Sequence, residues 1–416
     1  MSSPFLSIII PTRERADTLR YALQSCVTQD YADVEFIVCN NASTDDTEAV
    51  VQSFNDPRIR LINPGRRVSM RENWEFALGH ASGRYITFIG DDDAVMPHAV
   101  ATLAEFLAAE PVDAVKWQSP TYYWPQCGSS EAGRITLKFG NRIASVRSAA
   151  ALNALRWGYL YYTFMPMIYH GALSRRLVDQ IKARSGQFFC GESPDVYSGI
   201  VAAYMTEKYV YLQMPLTISG ASRHSTGTAA ASTATLRSGT AASTFFSEIN
   251  LTAHKEFLEI ADLPSSIQSC VTDALLRARD SACNGKLYVP LWYRLLLIVR
   301  EVSRLPGESL QSPTHPLRIY SAGRNMGWLY DIYVRAFART NRPGAAVVRS
   351  VLSIDTERFG VQEVAGAANF LGDLLGCVSS APASVEATTR SLLFGRLLSK
   401  FARFDAFRLF GYETFS

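Results

Sequence analysis

Tyr85-Ile86-Thr87-Phe88-Ile89-Gly90-Asp91-Asp92-Asp93 is the stretch on which the reading of this chain turns. Its first five residues are β-branched or aromatic, which predicts a short buried strand over Tyr85–Ile89. Three consecutive carboxylates then follow at the strand's end. Side by side they repel one another, and burying them costs free energy unless a positive partner is present. A hard divalent cation with oxygen ligands is the economical partner, and such an ion keeps coordination positions for substrate phosphates. The simpler alternative is a solvated acidic turn that caps the next helix. A position directly after a strand, not within a surface helix, weighs against that alternative.

Outward from this strand the chain alternates regularly. Ser7–Ile10, Val34–Cys39 and Ile59–Ile62 predict three more apolar strands, the first stopped by Pro11. Between them lie helical patterns, one capped by Asp17, one starting at Thr44-Asp45-Asp46, and one over Ser69–Ala81. A helix over Pro97–Ala109 and a strand over Asp113–Gln118 continue the pattern. Residues 120–147 predict aromatic loop and hairpin; helices over Ser148–Trp157, Ser174–Ala183 and Asp195–Met205 and a strand over Lys208–Leu212 follow. Such alternation with short connections predicts a mostly parallel α/β sheet covered by helices on both faces. Ligands of these sheets sit beyond the carboxyl ends of strands, so the residues after Ile10, Cys39 and Ile89 are the ones to inspect.

After Cys39 comes Asn40-Asn41-Ala42-Ser43-Thr44-Asp45-Asp46-Thr47. The Asn41 amide can pair with a nucleobase edge, whereas Ser43 to Thr47 reads as a capped strand-to-helix turn. After Ile10 comes Pro11-Thr12-Arg13-Glu14-Arg15, where backbone groups and an arginine could meet a nucleotide. No Gly-x-Gly-x-x-Gly follows that strand and no Walker lysine occurs, which removes the main support for dinucleotide-binding and P-loop readings.

The 416 residues are 48% hydrophobic and 19% charged, with a net charge of +3, a globular composition without the basic excess of a nucleic-acid binder. The start has no basic n-region, so no signal peptide is expected. The best apolar run, Leu287–Val302, is broken by Arg294 and Arg300, so no transmembrane helix is expected either. Seven scattered cysteines without a Cys-x-x-Cys pair fit reduced thiols of a cytoplasmic protein. Residues 226–244 are almost entirely Ser, Thr, Ala and Gly and predict a flexible loop between a catalytic part, 1–225, and a helical part, 245–416. Helical periodicity there covers Glu248–Ile260, Ser266–Ala282, Pro290–Ser303, Leu317–Ala338, Gly344–Leu352, Gln362–Leu375 and Ser384–Phe410. The last of these mixes aromatic and basic residues and fits either peripheral membrane contact or packing against other helices or a second subunit.

Taken in order and at these separations, Ser-Ile-Ile-Ile-Pro-Thr, Asn-Asn-Ala-Ser-Thr-Asp and Ala81-Ser-Gly-Arg-Tyr-Ile-Thr-Phe-Ile-Gly-Asp-Asp-Asp with Pro97 resemble the inverting family 2 glycosyltransferases of GT-A fold, particularly bacterial O-antigen and surface-polysaccharide enzymes. The resemblance covers roughly residues 5–225. It implies a nucleotide-diphosphate sugar donor, a Mn²⁺ or Mg²⁺ ion, and a glycan or lipid-linked glycan acceptor. By the same resemblance, Pro11, Thr12, Arg13 and Asn41 would line the nucleobase and ribose. Asp91 would contact the ribose, Asp92 would be the principal metal ligand, and Asp93 would neighbour the ion. Arg71 and Asn73 lie near where members place a nucleotide-contacting Arg or Asn. Gly191-Glu192-Ser193-Pro194-Asp195 resembles the later acidic motif, with Asp195 as general base and Glu192 as the second choice. His224 corresponds to a histidine that reaches the metal or diphosphate in some members. Two departures stand out: Asn40-Asn41 replaces a common aspartate pair, and Gly90 replaces the first Asp of the metal motif.

Two other readings compete. A sugar nucleotidyltransferase uses a related sheet, but it opens with a Gly-rich loop bearing Arg and Lys that is absent after Ile10. A glycosyltransferase-like scaffold subunit without activity is the other, and the intact carboxylates argue against it.

Overall fold

The computed structural model describes residues 3–138, 142–191, 193–225, 254–256, 266–302 and 352–379, with short pieces at 318, 321–322, 327–328, 330–332 and 413–414. Its centre is a sheet of β1 (Leu6–Thr12), β2 (Val34–Asn40), β3 (Ile59–Ile62), β4 (Tyr85–Phe88), β6 (Ala114–Trp117), β9 (Ile143–Arg147), β10 (Gly171–Ser174), β11 (Lys208–Leu212) and β14 (Glu413–Thr414). The spatial order is β14-β9-β11-β6-β10-β4-β1-β2-β3. β3, β2, β1 and β4 run parallel, while β10 is antiparallel to both β4 and β6. Strand order reverses at β1, which has β2 on one side and β4 on the other. The crevice between the carboxyl ends of β1 and β4 is therefore the topological switch point, where open α/β sheets bind ligands.

The helices α1 (Ala16–Val27), α2 (Thr47–Ser53), α3 (Met70–His80), α4 (Ala99–Ala109), α5 (Ser148–Arg156), α6 (Arg175–Ser185) and α7 (Pro194–Met205) pack on this sheet. On α3, Ser69 and Glu72 form a reciprocal capping box, and Trp74 stacks on Phe88 of β4 at 4.6 Å. Two apolar cores result, one on each face: Ile9, Phe88 and Leu173 belong to the first, and Ile8, Ile10 and Val115 to the second.

A second sheet, ordered β13-β8-β7-β12-β5, joins β5 (Ala94–Val95), β7 (Thr121–Tyr123), β8 (Arg134–Leu137), β12 (Thr217–Ala221) and β13 (Leu352–Asp355). The region expected to be loop and hairpin thus supplies β7 and β8 here and β9 to the main sheet. β10 and β12 were not evident from the sequence: Gly171-Ala-Leu-Ser174 and Thr217-Ile-Ser-Gly-Ala221 are short and carry few β-branched residues. Two smaller expectations also change. β1 continues through Pro11 because β4 pairs only as far as Ile9, so no ladder bond on that side needs the missing N–H. α1 is not capped by Asp17, which lies inside its first turn; Asp45, from the loop after β2, accepts the Ala16 amide at 2.9 Å instead.

The described C-terminal part is helical, with α8 (Ile267–Asp280), α9 (Leu291–Val302) and α10 (Val364–Ser379), and it also contributes β13 and β14. These helices share the cores of the sheet. Val271 and Ile298 join the first, and Val364 and Leu371 join the second. Arg294, which interrupts the apolar run of the sequence, is 1% exposed on α9 and bonds Gln268 Oε1 at 2.7 Å and Thr272 Oγ1 at 3.0 Å. Residues 226–244, together with the expected helices Glu248–Ile260 and Ser384–Phe410, lie almost wholly outside the described residues.

Candidate functional site

All three carboxylates after β4 are buried: Asp91, Asp92 and Asp93 are 2%, 5% and 0% exposed. Each has a different partner, and so a different capacity for chemistry. Asp91 forms an ion pair with Arg15, Nη1 to Oδ1 at 2.9 Å, across the switch-point crevice. Burial works against the charge of Arg15, but Asp91 and Asp92 outweigh it and raise the guanidinium pKa further. The other guanidinium nitrogen donates to the His224 carbonyl at 2.7 Å.

Asp93 is enclosed. Its Oδ2 accepts from the Gly90 amide and the Tyr169 hydroxyl, both at 2.6 Å, and lies 3.2 Å from His170 Nε2. Its Oδ1 accepts from the Gly220 amide at 2.8 Å. Burial alone would raise its pKa; His170, Tyr169 and Gly220 together lower it. His170 is itself fixed, with Nδ1 2.7 Å from Thr217 Oγ1 and backbone in the left-handed region at φ 49°.

Asp92 is the loaded member. Burial first, then the charge of Asp93, pushes its pKa up to about 7, against the pull of Arg15. Its Oδ2 accepts from the hydroxyls of Ser222 (2.7 Å) and Ser225, and its carbonyl from Trp124 Nε1 at 3.2 Å. Among the described residues no hydrogen bond reaches Asp92 Oδ1. A buried carboxylate with an unoccupied oxygen and an unfavourable charge is a fitting donor for a divalent cation. Among the described residues no three His, Cys, Asp or Glu side chains form a metal-type cluster. An ion here would therefore rely on one or two carboxylates plus ligand oxygens, the pattern of magnesium-type sites.

Both glycines near the carboxylates are dictated by space. A Cβ at Gly90, where an aspartate was the expectation, would stand 3.0 Å from carboxylate oxygens of Asp92 and Asp93. At Gly220 it would lie 1.7 Å from the Asp92 carbonyl.

Asp195 begins α7 just after Pro194. Burial raises its pKa, with the local backbone amides, Lys116 and His170 opposing. Ser198 donates to the Asp195 carbonyl at 2.6 Å and accepts from the Ile168 amide at 3.1 Å, which ties the start of α7 to the segment carrying Tyr169 and His170. Burial first, then the charges of Asp93, Asp92 and, last, Asp195 raise the Tyr169 pKa, which places this phenol near both acidic motifs while it bonds Asp93. Lys116 of β6 is 3% exposed and donates to the carbonyls of Tyr169 (3.2 Å) and His170 (2.8 Å). Burial pulls its pKa down to about 7, while Asp195 opposes.

Other expected residues have different surroundings. The Asn41 amide is engaged at both ends by the Val68 backbone, at 2.9 Å each way. Asn73 meets Cys39, accepting from its thiol at 3.1 Å, and so joins α3 to β2. Arg71 Nη1 reaches Gln187 Oε1 at 3.4 Å and lines a separate cavity of about 480 Å³ with Cys190, His254 and Arg277. The His224 ring faces away from the carboxylates: Nε2 accepts from Arg223 Nε at 2.9 Å and lies 3.4 Å from Asp17. The hydroxyls of its neighbours Ser222 and Ser225 are the groups that approach Asp92. Thr12 is buried with its hydroxyl unpartnered, Pro11 and Arg13 are partly buried beside it, and Glu192 lies outside the described residues.

Residues 7–179 match the profile described as Glycosyl transferase family 2. Over those residues, less than half of its length, the chain is similar to family 2 glycosyltransferases. Its matched region runs from β1 through Asp91–Asp93 and Tyr169-His170 into α6. Over 105 residues the chain is 38% identical to the GalNAc(5)-diNAcBac-PP-undecaprenol beta-1,3-glucosyltransferase of Campylobacter jejuni, covering 24% of this chain and 34% of that protein. Over 107 residues it is 32% identical to the UDP-Glc:alpha-D-GlcNAc-diphosphoundecaprenol beta-1,3-glucosyltransferase WfaP of Escherichia coli, covering 26% and 43%. The chain thus spans well under half the length of these relatives. Among solved structures, S. aureus TarS 1-349 in complex with UDP-GlcNAc shares 14% identity and a TM-score of 0.46 over 80% of this chain and 92% of that one. Arg15, Lys116, Tyr169, His170, Ser222 and Ser225 are site residues that the motifs did not single out. Lys116 left one sequence signal, a lone cation inside the buried run Asp113–Gln118.

Proposed function

We propose that this protein is an inverting glycosyltransferase that moves a sugar from a nucleotide-diphosphate donor to a hydroxyl of a glycan or lipid-linked glycan in bacterial surface-polysaccharide synthesis. The observation that carries the reading is the pair of unlike carboxylate sites near the Tyr169 phenol: the Asp91–Asp93 cluster at the switch point, and Asp195 at the start of α7. In this reading Pro11, Thr12 and Arg13 line the donor's nucleoside, with Asn41 holding the Val68 wall beside them. Asp91, paired with Arg15, faces the ribose. Asp92 is the principal holder of Mn²⁺ or Mg²⁺, which when bound would neutralise charge on the departing diphosphate. Asp93 stays a structural anion that anchors Gly90, Gly220 and Tyr169.

Inversion requires one base opposite the leaving group. Asp195 takes the proton of the acceptor hydroxyl, and that oxygen bonds to the anomeric carbon as the bond to the diphosphate breaks. A carboxylate with a raised pKa is a stronger base than one in water, and Lys116 and His170 beside it limit how far that rise goes. Both curated relatives are named for acceptors on undecaprenyl diphosphate, which supports a lipid-linked acceptor here.

The test is transfer and donor hydrolysis by purified protein with Mn²⁺ and a set of nucleotide sugars. Asp195→Ala should lower transfer by roughly 100-fold or more while leaving donor affinity within about twofold. Full transfer by Asp195→Ala would overturn its role as the base. Pyrophosphate release from a nucleoside triphosphate and a sugar phosphate would overturn the transferase reading itself.

A further inference from the structure

Away from the carboxylates, two segments bring aromatic side chains to one exposed face. The first follows α5, Arg156-Trp157-Gly-Tyr159-Leu-Tyr161-Tyr162, and the second leads into α9, Lys286-Leu-Tyr288-Val-Pro-Leu-Trp292-Tyr293. They touch directly. The Trp157 ring lies 6.4 Å from Trp292 and 5.4 Å from Tyr293, and Arg156 sits 5.7 Å over Tyr288 while bonding its carbonyl at 3.4 Å. Tyr159, Tyr288, Tyr161 and Trp292 are 74%, 57%, 44% and 42% exposed. Isolated exposed aromatics need no explanation, but a contiguous group of this size marks an interaction surface.

Its composition identifies the partner. The exposed large apolar side chains of these two segments are all Trp or Tyr, amphipathic rings that favour the boundary between water and hydrocarbon. The charges within Leu155–Met165 and Lys286–Leu296 are Arg156, Lys286 and the buried Arg294, with no Asp or Glu in either segment. Interfacial aromatics on two segments whose charges are all basic complement an anionic lipid surface.

The face also leads inward. Tyr161 packs against Tyr162 with ring centroids 4.7 Å apart and planes tilted by 48°, and the helical turn Tyr162–Phe164 contacts α7, whose first turn holds Asp195. From these juxtapositions we propose that the face formed by Trp157, Tyr159, Tyr161, Tyr288 and Trp292 with Arg156 docks on an anionic phospholipid bilayer and opens toward Asp195. Docking itself stands apart from the transferase reading; delivery of a lipid-linked acceptor to Asp195 rests on it.

The test is vesicle flotation of the full chain without donor, using phosphatidylcholine alone or with about 30% phosphatidylglycerol. The protein should float with the anionic vesicles, and Tyr159→Ser/Trp292→Ser should lower the bound fraction about tenfold. Arg156→Gln/Lys286→Gln should abolish the preference for phosphatidylglycerol. Melting temperatures control for folding, and Tyr159→Ser/Tyr288→Ser provides a second variant that leaves the Trp157–Trp292 contact intact. Wild-type protein that does not float, or aromatic variants that float equally well, would refute the docking surface. So would a lipid-free dimer that the aromatic variants dissociate, because the face would then join two copies of this chain. Floating protein that transfers no sugar would keep the docking surface and remove the transferase reading. Aromatic variants should keep turnover on a water-soluble acceptor and lose it on a bilayer-embedded one; equal loss on both would overturn delivery.

Discussion

Of the three strand ends that drew attention in the sequence, the structure treats two, Asn40–Thr47 after β2 and Gly90–Asp93 after β4, in opposite ways. The first satisfies itself. Asn40 accepts the Ser43 amide, Asn41 clamps Val68, Asp45 caps α1 and bonds Thr47, and Glu14 reaches Thr44. Its polar groups pair with nearby backbone and carry no stored imbalance. The second holds three buried carboxylates against the charges of Arg15 and, when protonated, His170, and one member, Asp92, sits with its pKa near 7. Polar residues that close on their own backbone build the scaffold. A buried carboxylate that burial and like charges push toward neutrality is a site prepared for a cation.

The sharpest way to break this contrast is Asp92→Asn. The amide keeps the shape and relieves the like-charge repulsion, so the melting temperature should hold or rise, while transfer falls roughly 100- to 1,000-fold. A variant that unfolds and keeps its specific activity would reverse the assignment. Asn41→Ala should do the opposite: it removes both partners of the half-buried Val68 N–H and C=O and costs about 1 kcal/mol in denaturant unfolding. Its specific activity per folded molecule should stay near wild type, and a large rise in donor KM would show that Asn41 reads the base after all.

The smallest effect concerns Lys116. Its folded-state pKa of about 7 lies below the ordinary 10.5, so between those values the unfolded chain binds a proton that the folded chain does not. Stability contributed by this group therefore rises with pH across that window and is lost below it. Lys116→Met should flatten the corresponding slope of unfolding free energy against pH; an unchanged slope would show that the buried ammonium is not the cause.

The parallel half of the fold was legible because its strands are continuous apolar runs punctuated by helix patterns, and the carboxylate positions followed from where those strands end. What was not legible depends on long-range pairing. Tyr169-His170 and Ser222–Ser225 sit on or beside strands too short and too plain to signal themselves, 76 to 133 residues from the aspartates they hold. Asp17 shows the same limit on a smaller scale. Local pattern made it the cap of α1, yet a residue from another loop took that place. His224 stood out through its family counterpart, whereas the contacts of Ser222 and Ser225 with Asp92 follow only from the path of the chain after β12.

The placement of β10 has a consequence for the order in which the molecule can form. During synthesis, all three strand-end motifs emerge well before Gly171–Ser174, so for that interval β4 is an open sheet edge with unpaired N–H and C=O groups. Tyr169 and His170, which hold Asp93, arrive immediately ahead of the strand that covers the edge. Protection of the nascent sheet from misassembly and the fixing of Asp93 are thus one folding event, and a chain halted before it would carry the three strand-end motifs while offering its central strand to a neighbour.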